Sequence, residues 1–195
     1  EQRRQLLQCT NEDSEWLIRI VENLLSITRI SNAEEARVKK VPEAAEEVIE
    51  GAVAKTHKHY PDVDIRVHLP EELMMVPMDP LLIEQVLVNL MENAVIHGET
   101  RHIDVTLRRE GDNAVFTVSD DGRGIPLSLL PRLFDGAARS DRRSDGKRSM
   151  GIGLSVCRTV VQAHGGVIRG ENKREGGACF TVTLPMKGDD NEDQR

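Results

Sequence analysis

Aromatic residues are scarce in this chain: one Trp, one Tyr and three Phe among 195 residues, or 3%. A core of adequate size is still possible, but aliphatic side chains must fill it. The three cysteines, Cys9, Cys157 and Cys179, lie far apart and form no CxxC pair. That argues against a disulfide framework and a zinc site, and it fits a reducing compartment. No apolar run approaches the roughly 20 residues that cross a bilayer, and nothing at the start reads as a secretory leader. An excess of positive charge is missing too. The net charge of −7 argues against nucleic acid as a partner, because phosphates demand a basic face. Its ordinary meaning is solubility. The chain also lacks an initial methionine: Glu1 opens inside polar, helix-like sequence, so the chain reads as a piece of something longer.

What is present points to one ordinary domain with an appendage. From Glu12 to Ser31, Leu17, Ile20, Leu24 and Ile27 step by three, four and three, an a/d seam widened by Trp16, Val21 and Leu25. Such a stripe needs a partner: a helical hairpin, a dimer, or the chain's own domain. Residues 32–41 are polar and read as a linker. Pro42 is expected to open a helix running to about Lys58 and closed by Tyr60-Pro61. Ile65, Val67 and Leu69 alternate as a strand. Asp79 and Pro80 predict an N-cap and first position of a helix that runs to His97 and stops at Gly98. Two alternating runs, Ile103 to Leu107 and Val115 to Ser119, flank the charged turn at Gly111-Asp112-Asn113 and predict a hairpin. Residues 135–149 read as a mobile loop. A helix follows from about Gly153 to His164, and a last strand pair turns at Glu175-Gly176-Gly177. The tail from 188 to 195 is acidic and expected to be disordered. Strands and helices mix without strict alternation and without internal repeats, which predicts one sheet covered on one face by helices.

Three constellations carry chemistry. Asn89 and Asn93 stand four apart on one helical face. Two mid-helix asparagines need a reason, given their low helix propensity. Either they offer amide oxygens to a hard cation such as Mg²⁺, or they are simply exposed. Asp120 and Asp121 end a strand, and Gly122 and Gly124 permit positive φ and close approach. One carboxylate there can accept a hydrogen bond from the exocyclic amine of adenine, while Val95, Ile125 and Leu133 can enclose the ring. Gly151-Ile152-Gly153-Leu154 begins a helix, where free amides and the dipole suit phosphates. Each motif alone is common. In this order, separated by a hairpin and a polar loop, they form a nucleotide site.

Together they resemble the sensor histidine kinases, whose catalytic domain belongs to the ATP-binding superfamily of gyrase, Hsp90 and MutL. Asn89 to Asn93 is similar to the N box, Asp120 to Ile125 to the first glycine box, Leu133-Phe134-Asp135 to the F box, and Gly151 to Leu154 to the second glycine box. The resemblance covers residues 12 to about 186. It includes a stretch, residues 16–25, similar to the second helix of the dimerisation and phosphotransfer hairpin. Within the family, that stretch and Glu175 to Phe180 are most similar to the branch tied to potassium supply.

The resemblance implies an α+β fold, a two-layer sandwich of a mixed sheet with helices on one face, over residues 42–187 and preceded by a truncated hairpin helix over 1–31. It implies ATP and Mg²⁺ as cofactors, with Asn93 holding the metal, Asn89 assisting and Asp120 reading adenine. Residues 135–149 become a lid, with Arg139 as a phosphate contact or an ordinary loop arginine. Glu92 could orient or accept a proton, although a solvated helix carboxylate is its plainer reading. Implied partners are a second copy through the hairpin and a cognate response regulator. Implied placement is cytoplasmic, with membrane contact only through parts outside this chain.

One distinction rests on residue chemistry. Hydrolytic relatives carry a water-activating glutamate where this chain has Asn89, an amide that cannot act as a base. Transfer to a histidine fits better, since imidazole is already a nucleophile. Several positions depart from the family pattern: Ile96 replaces a lysine, Ala137 an aromatic and Ser149 a glycine. Arg142, Lys147 and Arg148 are candidates to restore the lost charge. The departures support a competing reading, a degenerate module that docks nucleotide or partners without transfer; a third, an ATP-hydrolysing clamp, is disfavoured by Asn89. A family-type phosphoacceptor histidine is absent. His57 and His59 precede Lys58 and Tyr60 on the wrong helix, and His97 and His164 sit near helix ends, where a dipole contact explains them.

Overall fold

The computed structural model describes Val21, residues 38–135 and residues 152–187. Val21 is helical and exposed. The rest of the expected seam helix, the loop after Asp135 with Arg139 and Gly151, and the acidic tail lie outside the described residues.

In chain order the elements are β1 (Val41–Ala44), α1 (Ala45–His59), β2 (Asp64–His68), β3 (Met75–Met78) and α2 (Pro80–Asn93). A π-helical turn (Ala94–Gly98) leads to β4 (His102–Glu110), β5 (Asn113–Asp120) and a 3-10 turn (Leu130–Arg132). Last come α3 (Ile152–Ala163), β6 (Val167–Asn172) and β7 (Ala178–Pro185). Five strands form one mixed sheet in the order β2-β4-β5-β7-β6, with β2 parallel to β4 and the other neighbours antiparallel.

Period-two alternation decides which side of the sheet is dry. Val105 pairs with Val118, which pairs with Phe180; Leu107 pairs with Phe116, which pairs with Val182. All are buried. α2 packs between α1 and α3, and its Leu82, Val86, Leu90 and Ala94 are buried as their helical period requires. Asp79 starts α2 as the sequence predicts, its Oδ1 accepting the amides of Leu81 at 3.0 Å and Leu82 at 3.2 Å. Such a cap contributes about 1 kcal/mol. The β4–β5 hairpin, α3 and the β6–β7 pair also lie where the sequence places them.

Two expectations need correction, and a third needs extension. Pro42 lies in a strand, and α1 begins three residues later at Ala45. β1 and β3 pair as a separate two-stranded sheet in which Pro42 faces Pro77. Proline is tolerated in edge strands, and it hid both strands from a reading based on alternation. The helix from Pro80 does not stay α-helical to His97: it ends at Asn93 and widens into the π turn, after which Glu99 adopts a left-handed φ of 55°. His164 does contact the end of its own helix as expected, but it is fully buried and also reaches another element. Its Nδ1 donates to the Val160 carbonyl at 2.7 Å and its Nε2 accepts the Asp79 amide at 3.0 Å, tying the end of α3 to the start of α2.

That geometry requires a neutral ring. Burial pushes the His164 pKa below the ordinary imidazole value; the Val160 bond and the Asp79 charge oppose the shift, and Lys40 adds to it. A depressed folded pKa means the unfolded chain binds more protons in this window, so stability is complete above the unfolded pKa and declines as pH falls. The Tm is therefore expected to drop from pH 7.5 to pH 5. In His164→Gln, which keeps an acceptor but does not titrate, thermal melts should show a shallower drop.

Candidate functional site

Alternation places Asp120 on the dry face, in line with Val118 and Phe116, at the end of β5. It is only 3% exposed, so its carboxylate must be satisfied. Oδ1 accepts the backbone amides of Gly122 at 2.9 Å and Ala178 at 3.2 Å. Oδ2 has no hydrogen bond among the described residues. Its neighbour Asp121 is exposed and bonds to the Thr100 hydroxyl, which holds its carboxyl below the usual carboxylate range. Of the two adjacent aspartates, geometry therefore selects Asp120 for the interior.

The glycines of this loop are needed for space. A Cβ on Gly122 would stand 2.3 Å from the Gly98 carbonyl oxygen, and one on Gly98 would stand 3.2 Å from Asp120 Oδ1. The Arg123 amide donates to that same Gly98 carbonyl at 3.0 Å, and the Arg123 Nε donates to the His97 carbonyl at 2.7 Å. So the π turn after Asn93 and the loop after Asp120 are one backbone-to-backbone contact. π turns of this kind recur at functional sites.

The amide pair on α2 proves unequal. Asn89 is 5% exposed; its Oδ1 is reached by Gln85 Nε2 at 3.4 Å, and its side chain also hydrogen-bonds the Cys157 thiol. Plain exposure therefore does not explain it. Asn93 is partly buried, and its Nδ2 donates to the Asn89 backbone carbonyl at 2.7 Å. This fixes the side chain and leaves its Oδ1 without a partner among the described residues. Glu92, read as solvated, is 6% exposed and lies 3.8 Å from His59 Nδ1 at the end of α1. The helix face that carries it packs on α1. Among the described residues no cluster of His, Cys, Asp or Glu could hold a metal by itself. A single open amide oxygen beside a phosphate-bearing ligand suits Mg²⁺, which keeps waters and substrate oxygens in its shell.

Ile152 begins α3, and a Cβ added to Gly153 meets none of the described residues within 4 Å. Val95, Ile125, Leu133 and Leu154 are partly buried against the core. Leu133 rests on Gly170 of β6, where a Cβ would come within 2.6 Å of it. Asp135 bonds Arg158 Nη1 at 3.2 Å, attaching the F-box end to α3. Cys157 is buried within α3 and its thiol is pushed up to about 12, so it stays protonated. Two residues of the β6–β7 turn escaped the sequence reading. Asn172 bonds both backbone groups of Ile125, and Lys173 Nζ donates to the Asp120 carbonyl at 2.8 Å. No local pattern marks either residue, because their partners lie 47 and 53 positions away.

Residues 78–188, more than half of the chain, match the histidine kinase-, DNA gyrase B- and HSP90-like ATPases. The chain belongs to that family. It is 38% identical over 189 residues to the sensor protein KdpD of Clostridium acetobutylicum, a match covering 96% of this chain and 21% of that one. It is also 38% identical over 170 residues to KdpD of Escherichia coli strain K12, covering 87% and 19%. The chain thus spans about a fifth of the length of these relatives. The catalytic domain of the histidine kinase ThkA superposes with a TM-score of 0.65 at 25% identity, covering 76% of this chain and 97% of that domain. ThkA in complex with the response regulator TrrA gives 0.69 at 24% identity, covering 91% and 49%. The described domain is therefore an ATP-binding catalytic domain of the sensor histidine kinase type, and its mixed sheet with a helical layer is that family's fold. No helix among the described residues is long and apolar enough to cross a membrane.

Proposed function

We propose that this chain is the ATP-binding, phosphoryl-donating part of a KdpD-like sensor kinase. The observation that carries the reading is Asp120: a buried carboxylate with one oxygen held by two backbone amides and the other free for the adenine amine. Val95, Ile125 and Leu133 flank the base. Asn93 Oδ1, left open by the Nδ2 bond to Asn89, would hold Mg²⁺. Asn89 assists through the carbonyl that fixes Asn93. The start of α3 at Ile152 to Leu154, with Gly151 and Arg139 from the sequence before it, receives the triphosphate. Glu92, turned toward His59, serves α1–α2 packing and not proton transfer.

The γ-phosphoryl group passes from ATP to an imidazole nitrogen of a histidine on the first hairpin helix, leaving ADP. It is then relayed to an aspartate of a response regulator of the KdpE type. A second copy pairs through the hairpin. Bound Mg²⁺ supplies charge neutralisation on the phosphate oxygens. The protein supplies position, since Asn89 offers no base and the imidazole needs none.

Titration calorimetry with ATP, in Mg²⁺ and in excess chelator, tests the metal assignment. Wild type should bind more tightly with Mg²⁺. Asn93→Ala should lose about tenfold in the presence of Mg²⁺ and little in chelator. An unchanged metal dependence in Asn93→Ala would remove that residue from the site.

A further inference from the structure

The loop that carries Asp120 is tied to the rest of the domain by bonds to distant residues. Its local bonds are few: Oδ1 of Asp120 takes Gly122 N, and Gly124 sits at a φ of +74°. The Gly98 turn holds its middle at Arg123, and both of its ends, Asp120 and Ile125, are held by one turn across the sheet. Asn172, the last residue of β6, accepts the Ile125 amide on Oδ1 at 2.6 Å and donates from Nδ2 to the Ile125 carbonyl at 2.7 Å. A side-chain amide thus pairs with Ile125 as a neighbouring strand would. Gly124 lies against the same amide, an added Cβ standing 2.8 Å from Asn172 Oδ1. Next in sequence, Lys173 Nζ donates to the Asp120 carbonyl at 2.8 Å. Lys173 N also donates to the Gly177 carbonyl at 3.0 Å, which closes the turn that carries both side chains.

We infer that Asn172 is a positioning residue for base recognition, clamping the Asp120–Ile125 loop so that Asp120 Oδ2 and the Ile125 side chain meet the adenine ring in fixed register, with Lys173 as a second strut. The inference rests on the proposed role of Asp120. Asn172 suits the task because one planar amide satisfies a donor and an acceptor of one residue at once. Serine could make one of these bonds, and aspartate would set an oxygen against the Ile125 carbonyl. The next residues, Pro126 and Leu127, are exposed, and among the described residues the two Asn172 bonds are the hydrogen bonds that hold Ile125.

The test uses Asn172→Ala and Asn172→Asp beside wild type, with three readouts. The first is ATP against inosine triphosphate, which carries a carbonyl where adenine carries its amine. Wild type should prefer ATP, and both variants should lose about tenfold in ATP affinity with a smaller loss for the inosine analogue, so that the preference narrows. A general loss of stability would weaken both nucleotides equally. The second readout is hydrogen exchange at the Ile125 amide without nucleotide. Wild type should be protected, and Asn172→Ala should exchange faster there while core amides of β5 and β7 keep their protection. The third is Tm, expected to change little. If wild type binds ATP and both variants keep its base preference, the inference is wrong while the proposed function stands. If wild type binds neither nucleotide, the proposed function fails and base recognition by Asn172 fails with it. Unchanged exchange at Ile125 refutes the clamp whatever the nucleotide data show.

Discussion

Asp120→Asn should weaken ATP binding by about 1.5–3 kcal/mol, roughly ten- to a hundredfold, with little change in Tm. The substitution is close to isosteric, and its effect on the two oxygens can be separated. An asparagine oxygen in place of Oδ1 still accepts the Gly122 and Ala178 amides. The amide nitrogen then replaces Oδ2, setting a donor against the adenine amine where an acceptor stood. Affinity falls because a charged hydrogen bond is exchanged for a donor–donor clash. Stability is kept because removing a buried charge is not costly when the backbone partners remain. Titration calorimetry and a thermal melt on the same sample check both halves. A matched fall in Tm and affinity would instead mean that Asp120 serves the fold.

Gly177→Ala should destabilise the domain by roughly 2–4 kcal/mol, where Gly176→Ala costs only the backbone strain. Both glycines have positive φ, +100° at Gly176 and +82° at Gly177. Around Gly176 an added Cβ meets nothing within 4 Å; at Gly177 it would lie 2.0 Å from the Asp120 carbonyl oxygen and 3.0 Å from Asp121 Cα. Those are backbone atoms, so relief requires moving the loop that carries Asp120. At about 2–4 °C per kcal/mol, Gly177→Ala should lower Tm by roughly 5–15 °C. ATP binding should suffer as well at temperatures where the protein is still folded. Equal effects at the two glycines would show that the loop yields freely.

Much of this was legible because it is local. Asp79-Pro80 reads as a helix start whatever lies around it, and the β4–β5 hairpin follows from alternation about a Gly-Asp-Asn turn. The run Asp120-Asp121-Gly122-Arg123-Gly124 shows that backbone comes close, and the Gly98 carbonyl against Gly122 is the contact it needs. Even the choice of Asp120 over Asp121 is contained in the period of β5, since Phe116, Val118 and Asp120 share a face. What stayed hidden depends on distance along the chain. His164 reads as a helix-end histidine until the Asp79 amide, 85 residues away, reaches its Nε2. Glu92 reads as a surface carboxylate until α1 packs over it. Asn172 and Lys173 have no signature, because their meaning lies in Ile125 and Asp120. β1 and β3 were missed because each carries a proline and neither alternates over enough residues to register.

The proposed function requires this domain to donate the γ-phosphoryl group of ATP to a histidine. The most direct measurement joins the chain to a complete hairpin helix carrying a histidine followed by an acidic residue, and follows label from γ-labelled ATP. Acid-labile, base-stable label is expected on that histidine, dependent on Mg²⁺ and reduced in Asn93→Ala and Asp120→Asn. The chain without the added helix should take up no stable label on any of its six histidines. Tight ATP binding with no label on the restored helix would contradict it, and the domain would then be a nucleotide-binding module that does not transfer.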